Sequence, residues 1–161
     1  MFPTTPVTGF AELYERHYEA VFRAALRVTG NPADAEDVLQ TVFLRVLTGG
    51  GGLEDVALPA AYFKRAAVNA AVDVLRRREL RAESVHYIPS PGIAMQPPVL
   101  LKEQLRRALG ILNNDDATLF LLRHVEGLSI EELATLFEIE KNNVTVKLHR
   151  IRQRLQAEME R

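Results

Sequence analysis

Apolar side chains recur every third or fourth residue along most of this chain, and the breaks fall at residues that start or stop helices. Phe10, Leu13, Tyr14, His17, Tyr18, Val21, Phe22, Ala25 and Leu26 keep helical spacing up to Gly30. Asn31 can then cap a second helix, Pro32 suits its first position, and Asp34 and Glu36 sit favourably in its positive first turn. Val38, Leu39, Val42, Phe43 and Val46 give that helix its buried stripe. Four glycines, 49–52, form a loop with no preferred conformation. A third helix is predicted from about Pro59 to Arg81, with Tyr62, Ala66, Asn69, Asp73 and Arg76 along one side.

Residues 84–98, SVHYIPSPGIAMQPP, hold four prolines and a glycine and lack helical periodicity, so they predict an extended linker. Beyond it, Leu101, Leu105, Ala108, Leu109 and Leu112 share a helix face. Asn113 or Asn114 is the expected cap of the next helix, with Asp115 and Asp116 in its first turn. No segment alternates with period two for long enough to predict a strand. The expected fold is all-α: a three-helix unit, a proline-rich tether and a four-helix unit, with boundaries at 1–83, 84–98 and 99–161. The tether would let the two units close on each other.

The last third, LLRHVEGLSIEELATLFEIEKNNVTVKLHRIRQRL, spells a helix-turn-helix. Gly127 stops one helix, Ser129 and Glu132 form a capping box, and Leu128 with Leu133 forms a hydrophobic staple. A turn around Glu138 to Glu140 leads into a longer helix whose core face carries Val144, Leu148, Ile151 and Leu155. Its other face carries Lys141, Asn142, Asn143, Lys147, Arg150, Arg152 and Arg154, and no acid interrupts the five basic residues from Lys141 to Arg154. A basic, amide-rich second helix held against a capped first helix suits the DNA major groove; the alternative is a solvated helix of an ordinary bundle.

Charge distribution changes the picture more than net charge does. The 161-residue chain has a net charge of −1, which alone argues against nucleic acid. Residues 64–81, however, carry six basic residues against two acids, whereas residues 12–37 carry six acids against three arginines. Two basic patches and one acidic patch suggest two DNA contacts and a separate protein partner, against chance clustering of surface charge. With no cysteine, disulfides and thiolate metal ligands are excluded, and a reducing compartment is permitted. The N-terminal residues lack the form of a signal peptide, and no apolar run approaches the roughly 18 residues of a membrane span. A soluble intracellular protein is expected. Glu83 and His86 match one half of a carboxylate-bridged metal site, but the required second pair is missing from the sequence. With no phosphate-loop, serine-elbow or zinc signature either, no catalytic residue, cofactor or metal is expected.

In this order the segments resemble the sigma-70 family of bacterial RNA polymerase sigma factors, in its small extracytoplasmic-function (ECF) group. FAELYERHYEAVFRAALRVTGNPADAEDVLQTVFLRV looks like the start of the family's second conserved region, AAYFKRAAVNAAVDVLRRR like its promoter-melting helix, and the helix-turn-helix like its fourth region. The resemblance implies a cytoplasmic protein that binds core polymerase and directs it to promoters. Asp34, Glu36, Asp37, Gln40 and Phe43 would meet the clamp coiled coil of the polymerase, although core packing is the better expectation for Phe43. Tyr62, Lys64, Arg65, Asn69, Arg76 and Arg77 would receive the melted minus-ten strand. Tyr62 stands as either a stacking platform or a buried ring with its hydroxyl at the surface. Lys141, Asn142, Asn143, Lys147 and Arg150 would read the minus-thirty-five duplex.

An anti-sigma factor is a further partner implied by the resemblance, and closure of the two units would hide both DNA faces. The alternative function is a degenerate sigma-like protein that binds polymerase or a regulator without reading DNA. The chain departs from the family pattern at Tyr62, where tryptophan is common, at Glu138 for glycine, at Glu140 for a capping serine, and at Asn142 and Asn143 for Gly-Thr.

Overall fold

A computed structural model describes residues 7–49, 58–81 and 103–160 of the chain. Among them are seven helices and no strand: α1 (Val7–Thr29), α2 (Pro32–Thr48), α3 (Pro59–Arg81), α4 (Glu103–Leu109), α5 (Asn114–His124), α6 (Ile130–Phe137) and α7 (Lys141–Met159). The 84–98 tether, the Glu83–His86 pair and Gly50, Gly51 and Gly52 lie outside the described residues.

The helix boundaries follow from capping chemistry. Asn31 Oδ1 accepts the amides of Ala33 and Asp34 at 2.8 and 3.3 Å, with Pro32 opening α2. Asn113, rather than Asn114, caps α5 by accepting the amide of Asp116 at 2.8 Å. Gly30 ends α1 in the left-handed region (φ 64°), and the Arg106 guanidinium occupies the space a Cβ would need. The positive φ is what favours glycine there, since the arginine tip could move aside for a Cβ.

Helices α1, α2 and α3 pack pairwise around Val21, Val28, Val38, Phe43, Phe63 and Val68, all at most 3% exposed. In the second unit α4 and α5 lean on α7 and α6 packs beside it, burying Leu112, Leu121, Leu122, Leu133, Val144 and Leu148. The two units share one continuous apolar core, because α3 also packs on α5. Small residues make this possible: Ala67, Ala70 and Ala71, at most 5% exposed, let α3 approach neighbours on two sides.

His17 lies in this core, 7% exposed, with its ring stacked on Phe63 at 4.5 Å. Burial first, and Arg16 second, hold its pKa below the ordinary histidine value; His124 shifts the same way through burial, Arg152 and Arg123. Below about pH 6.5 the unfolded chain therefore binds more protons than the folded one, so this contribution to stability is present above that pH and lost as pH falls. Thermal melts should show a declining midpoint between about pH 7 and about pH 5, and His17→Gln should flatten part of that decline.

Candidate nucleic-acid interface

The helix-turn-helix is built by local chemistry. Gly127 (φ 76°) turns the chain, and the Ser129 side chain accepts the Glu132 amide at 3.0 Å while Glu132 accepts the Ser129 amide at 3.1 Å. Leu128 and Leu133, 3% and 0% exposed, are buried behind that capping box. Helix α6 ends on Glu138, whose φ of 55° and ψ of 45° are left-handed, and the Ile139 amide returns to the Ala134 carbonyl at 3.1 Å. A residue with a Cβ costs about 1 kcal/mol in that conformation. Glu140, at the N-cap of α7, makes no side-chain cap bond. Lys141 pairs with Glu131 at 3.6 Å, not with Glu138 or Glu140 in the turn that precedes α7. Glu138→Gly and Glu140→Ser should each stabilise the chain by about 0.5–1 kcal/mol, read as a rise of about 2 °C in melting temperature.

Helix α7 buries Val144, Leu148, Ile151 and Leu155 and exposes Lys141, Asn142, Asn143, Lys147 and Arg150. Asn143, Lys147 and Arg150 follow each other at helical spacing and share one outer stripe. The rest of the basic run faces elsewhere. Arg154 donates to the Ile111 carbonyl at 3.2 Å, and Arg152 lies 3.4 Å from His124 Nε2. These two arginines tie α7 to the bundle, and the five named residues form an exposed polar face in which Lys141 alone is drawn to a carboxylate of α6, Glu131.

Helix α3 is arranged differently. Arg65 lies 4.0 Å over the Phe137 ring and donates to the Leu136 carbonyl at 2.7 Å, at the electronegative end of α6. Asn69 accepts from Thr118 at 3.3 Å, Asp73 accepts from Asn114, and Arg76 donates to the Leu112 carbonyl. One stripe of α3 is thus spent on the second unit. Arg27 and Glu126 add a two-oxygen ion pair across the same junction, both contacts at 2.9 Å, with the Glu126 side chain 1% exposed. Tyr62 (38% exposed) and Arg77 are exposed outside this contact, and Lys64 is half-buried. The contact therefore covers one stripe of α3 and leaves the outer face of α7 exposed: the expectation that closure would hide both faces is corrected, because α7 meets the bundle through its apolar side.

On α2, Glu36, Asp37 and Gln40 are exposed. Asp34 instead pairs with Arg78 at 2.9 Å within the first unit. Phe43 is 3% exposed and its ring packs on Tyr14 and Phe63 at 4.9 and 5.3 Å, so it belongs to the core and not to an outer docking face. Leu44 and Leu47, 57% and 58% exposed, continue the Glu36–Gln40 face. Sequence reasoning passed them over; their signal was leucine at helical spacing opposite the stripe of Val38, Leu39 and Val42.

This bundle with an exposed helix-turn-helix defines a class of DNA-binding transcription proteins, and the comparisons narrow it. Residues 13–81 match sigma-70 region 2 and residues 102–155 match sigma-70 region 4. The chain is 30% identical to the RNA polymerase sigma-E factor of Streptomyces coelicolor over 95% of its own length and 87% of that protein's. It is also 30% identical to the ECF RNA polymerase sigma factor SigE of Mycolicibacterium smegmatis, covering 89% of this chain and 59% of the relative.

Among solved structures, the sigma factor RpoE of Bartonella quintana, crystallised with the anti-sigma factor NepR, shares the fold. Its TM-score is 0.57 at 19% identity, over 96% of this chain and 98% of that one. CnrH, solved with the cytosolic domain of CnrY, aligns with a TM-score of 0.52 at 21% identity, over 96% of this chain and 89% of that one. The chain belongs to the sigma-70 family of RNA polymerase sigma factors, in its ECF group. Sigma factors act in transcription initiation, and no helix among the described residues is long and apolar enough to cross a membrane.

Proposed function

We propose that this sigma factor divides its work among three faces and acts by binding energy alone, without catalysis, in the bacterial cytoplasm. Helix α7 reads the minus-thirty-five duplex through Lys141, Asn142, Asn143, Lys147 and Arg150. Helix α3 holds the melted minus-ten strand through Lys64, Arg65, Arg76 and Arg77 on phosphates, Asn69 on a base edge or backbone, and Tyr62 as a stacking surface. Helix α2 docks on the clamp coiled coil of core polymerase through Glu36, Asp37 and Gln40, with Leu44 and Leu47 supplying the apolar part. The observation that carries this reading is the exposed basic face of α7, within a chain that matches sigma-70 regions 2 and 4 in order.

The closed molecule is a resting form in this account. Arg65, Asn69 and Arg76 cannot serve a DNA strand while they bind Leu136, Thr118 and Leu112, so docking on polymerase must separate the units. An anti-sigma factor, as in the RpoE–NepR complex, is the partner class that would hold the chain off polymerase.

The α2 assignment is tested by titrating fluorescent core polymerase with this chain. Asp37→Lys combined with Leu44→Ala should weaken association at least about tenfold, since an interface charge reversal and a lost apolar anchor act together. Asp34→Lys is the poorer probe because it breaks the Arg78 pair within the fold. Unchanged core affinity for the Asp37 and Leu44 variant would move the docking face elsewhere.

A further inference from the structure

The outer face of α7 has an apolar centre. Val146 is 43% exposed, and it is the one aliphatic side chain among the exposed positions from Lys141 to Arg154. Two residues on from buried Val144, it stands about 200° round the helix, opposite the side that enters the core. Asn142 and Asn143 lie one turn before it, Lys147 beside it and Arg150 one turn after. A β-branched residue on a solvated helix face is poor for the helix, because its χ1 freedom is lost against the preceding turn. At 43% exposure, only part of that cost is offset by packing among the described residues.

We propose that Val146 reads a thymine in the minus-thirty-five duplex through its C5 methyl group, an inference that rests on the assignment of α7 to the major groove. The side chain opposite a helix's buried stripe is the one that points at the floor of the groove when the helix lies in it. The edges exposed there are hydrogen-bond donors and acceptors, with a single apolar exception, the methyl of thymine. An isopropyl group pressed against a donor or acceptor would strip its water and return nothing. Against a methyl it gains burial. The flanking asparagines, lysine and arginine supply the hydrogen bonds and phosphate contacts that fix the helix in register, so the valine completes the face as its one shape-reading element. Its preference is for thymine over cytosine and over a thymine that lacks its methyl.

The test uses holoenzyme assembled from core polymerase and the full chain, on the minus-thirty-five duplex recovered by mapping its transcription start sites. Each thymine of that element is replaced in turn by deoxyuridine, which removes the methyl and leaves base pairing intact. The wild-type chain should lose about fourfold in affinity at one position, the worth of one buried methyl group. Val146→Ala should bind the thymine and deoxyuridine duplexes nearly alike, whereas Lys147→Ala should weaken both and keep their ratio. Methyl dependence at no thymine, or its persistence in Val146→Ala, overturns the proposal. So does a Val146→Ala variant that loses core-polymerase affinity with its thymine preference intact, which would make the valine a protein contact. If Lys147→Ala and Arg150→Ala both leave duplex affinity unchanged, the groove assignment of α7 fails first, and the two failures are thereby told apart.

Discussion

Reversing Glu126 to arginine opens the closed molecule and raises its affinity for single-stranded minus-ten DNA. In the closed form Arg27 Nη1 lies 2.9 Å from each Glu126 oxygen, and the glutamate side chain is 1% exposed against 24% for the arginine. A charge that deep is held by its partner. Breaking a buried pair costs about 3–5 kcal/mol, and each 1.4 kcal/mol is roughly a factor of ten, so the closed-to-open ratio should fall at least about 100-fold. Arg65, Asn69 and Arg76 are then released from the α5–α6 side and become available to the strand. Small-angle scattering should show a larger radius of gyration for Glu126→Arg, and an oligonucleotide titration should show tighter strand binding, with helical content unchanged by circular dichroism. The exchanged pair Arg27→Glu with Glu126→Arg should restore closure. A folded Glu126→Arg protein with unaltered dimensions and strand affinity would mean that this ion pair does not hold the units together.

Truncating Lys147 or Arg150 to alanine weakens binding to the minus-thirty-five duplex. Both side chains are exposed on the outer stripe of α7. A lysine or arginine that hydrogen-bonds guanine contributes about 1–3 kcal/mol of discrimination, so loss of one such contact lowers affinity for the preferred element by about 5- to 150-fold. Salt separates the two kinds of contact. Loss of a phosphate contact lowers affinity on all sequences and reduces the slope of log affinity against log salt by about 0.9, whereas loss of a base contact relaxes preference at one base pair. The residues are three apart on one helix, so their double mutant need not be additive. Full affinity in both single variants would remove α7 from the groove.

Much of this fold was legible because its signals are local. Asn31, Asn113 and the Ser129–Glu132 box terminate helices through bonds spanning two or three residues, and the α7 stripe of Val144, Leu148, Ile151 and Leu155 follows the helix period directly. The α3 surface was legible only in part. Its run of alanines, asparagine and arginines is equally consistent with a solvated DNA face and with an interface to a second helical unit. The partners Leu112, Asn114, Thr118 and Leu136 lie some 36 to 71 positions away in the chain. Pairings at that separation leave no periodic trace. Asp34 shows the same limit on α2: helical spacing gives a residue's direction on its own helix, but Arg78, which takes up its carboxylate, comes from α3, whereas the burial of Phe43 followed from its place in the apolar stripe. Leu44 and Leu47 escaped attention for the opposite reason, since a leucine on a helix suggests core until the burial of its neighbours is known.

The most direct test of the central claim is in vitro transcription with purified core polymerase and a pooled promoter library, with start sites mapped with and without this chain. A sigma factor with an intact α7 reading face predicts start sites that depend on the chain and share one minus-ten and one minus-thirty-five element. Core polymerase that binds the chain yet gains no new start site would contradict the account, and would leave a protein that docks on polymerase without directing it.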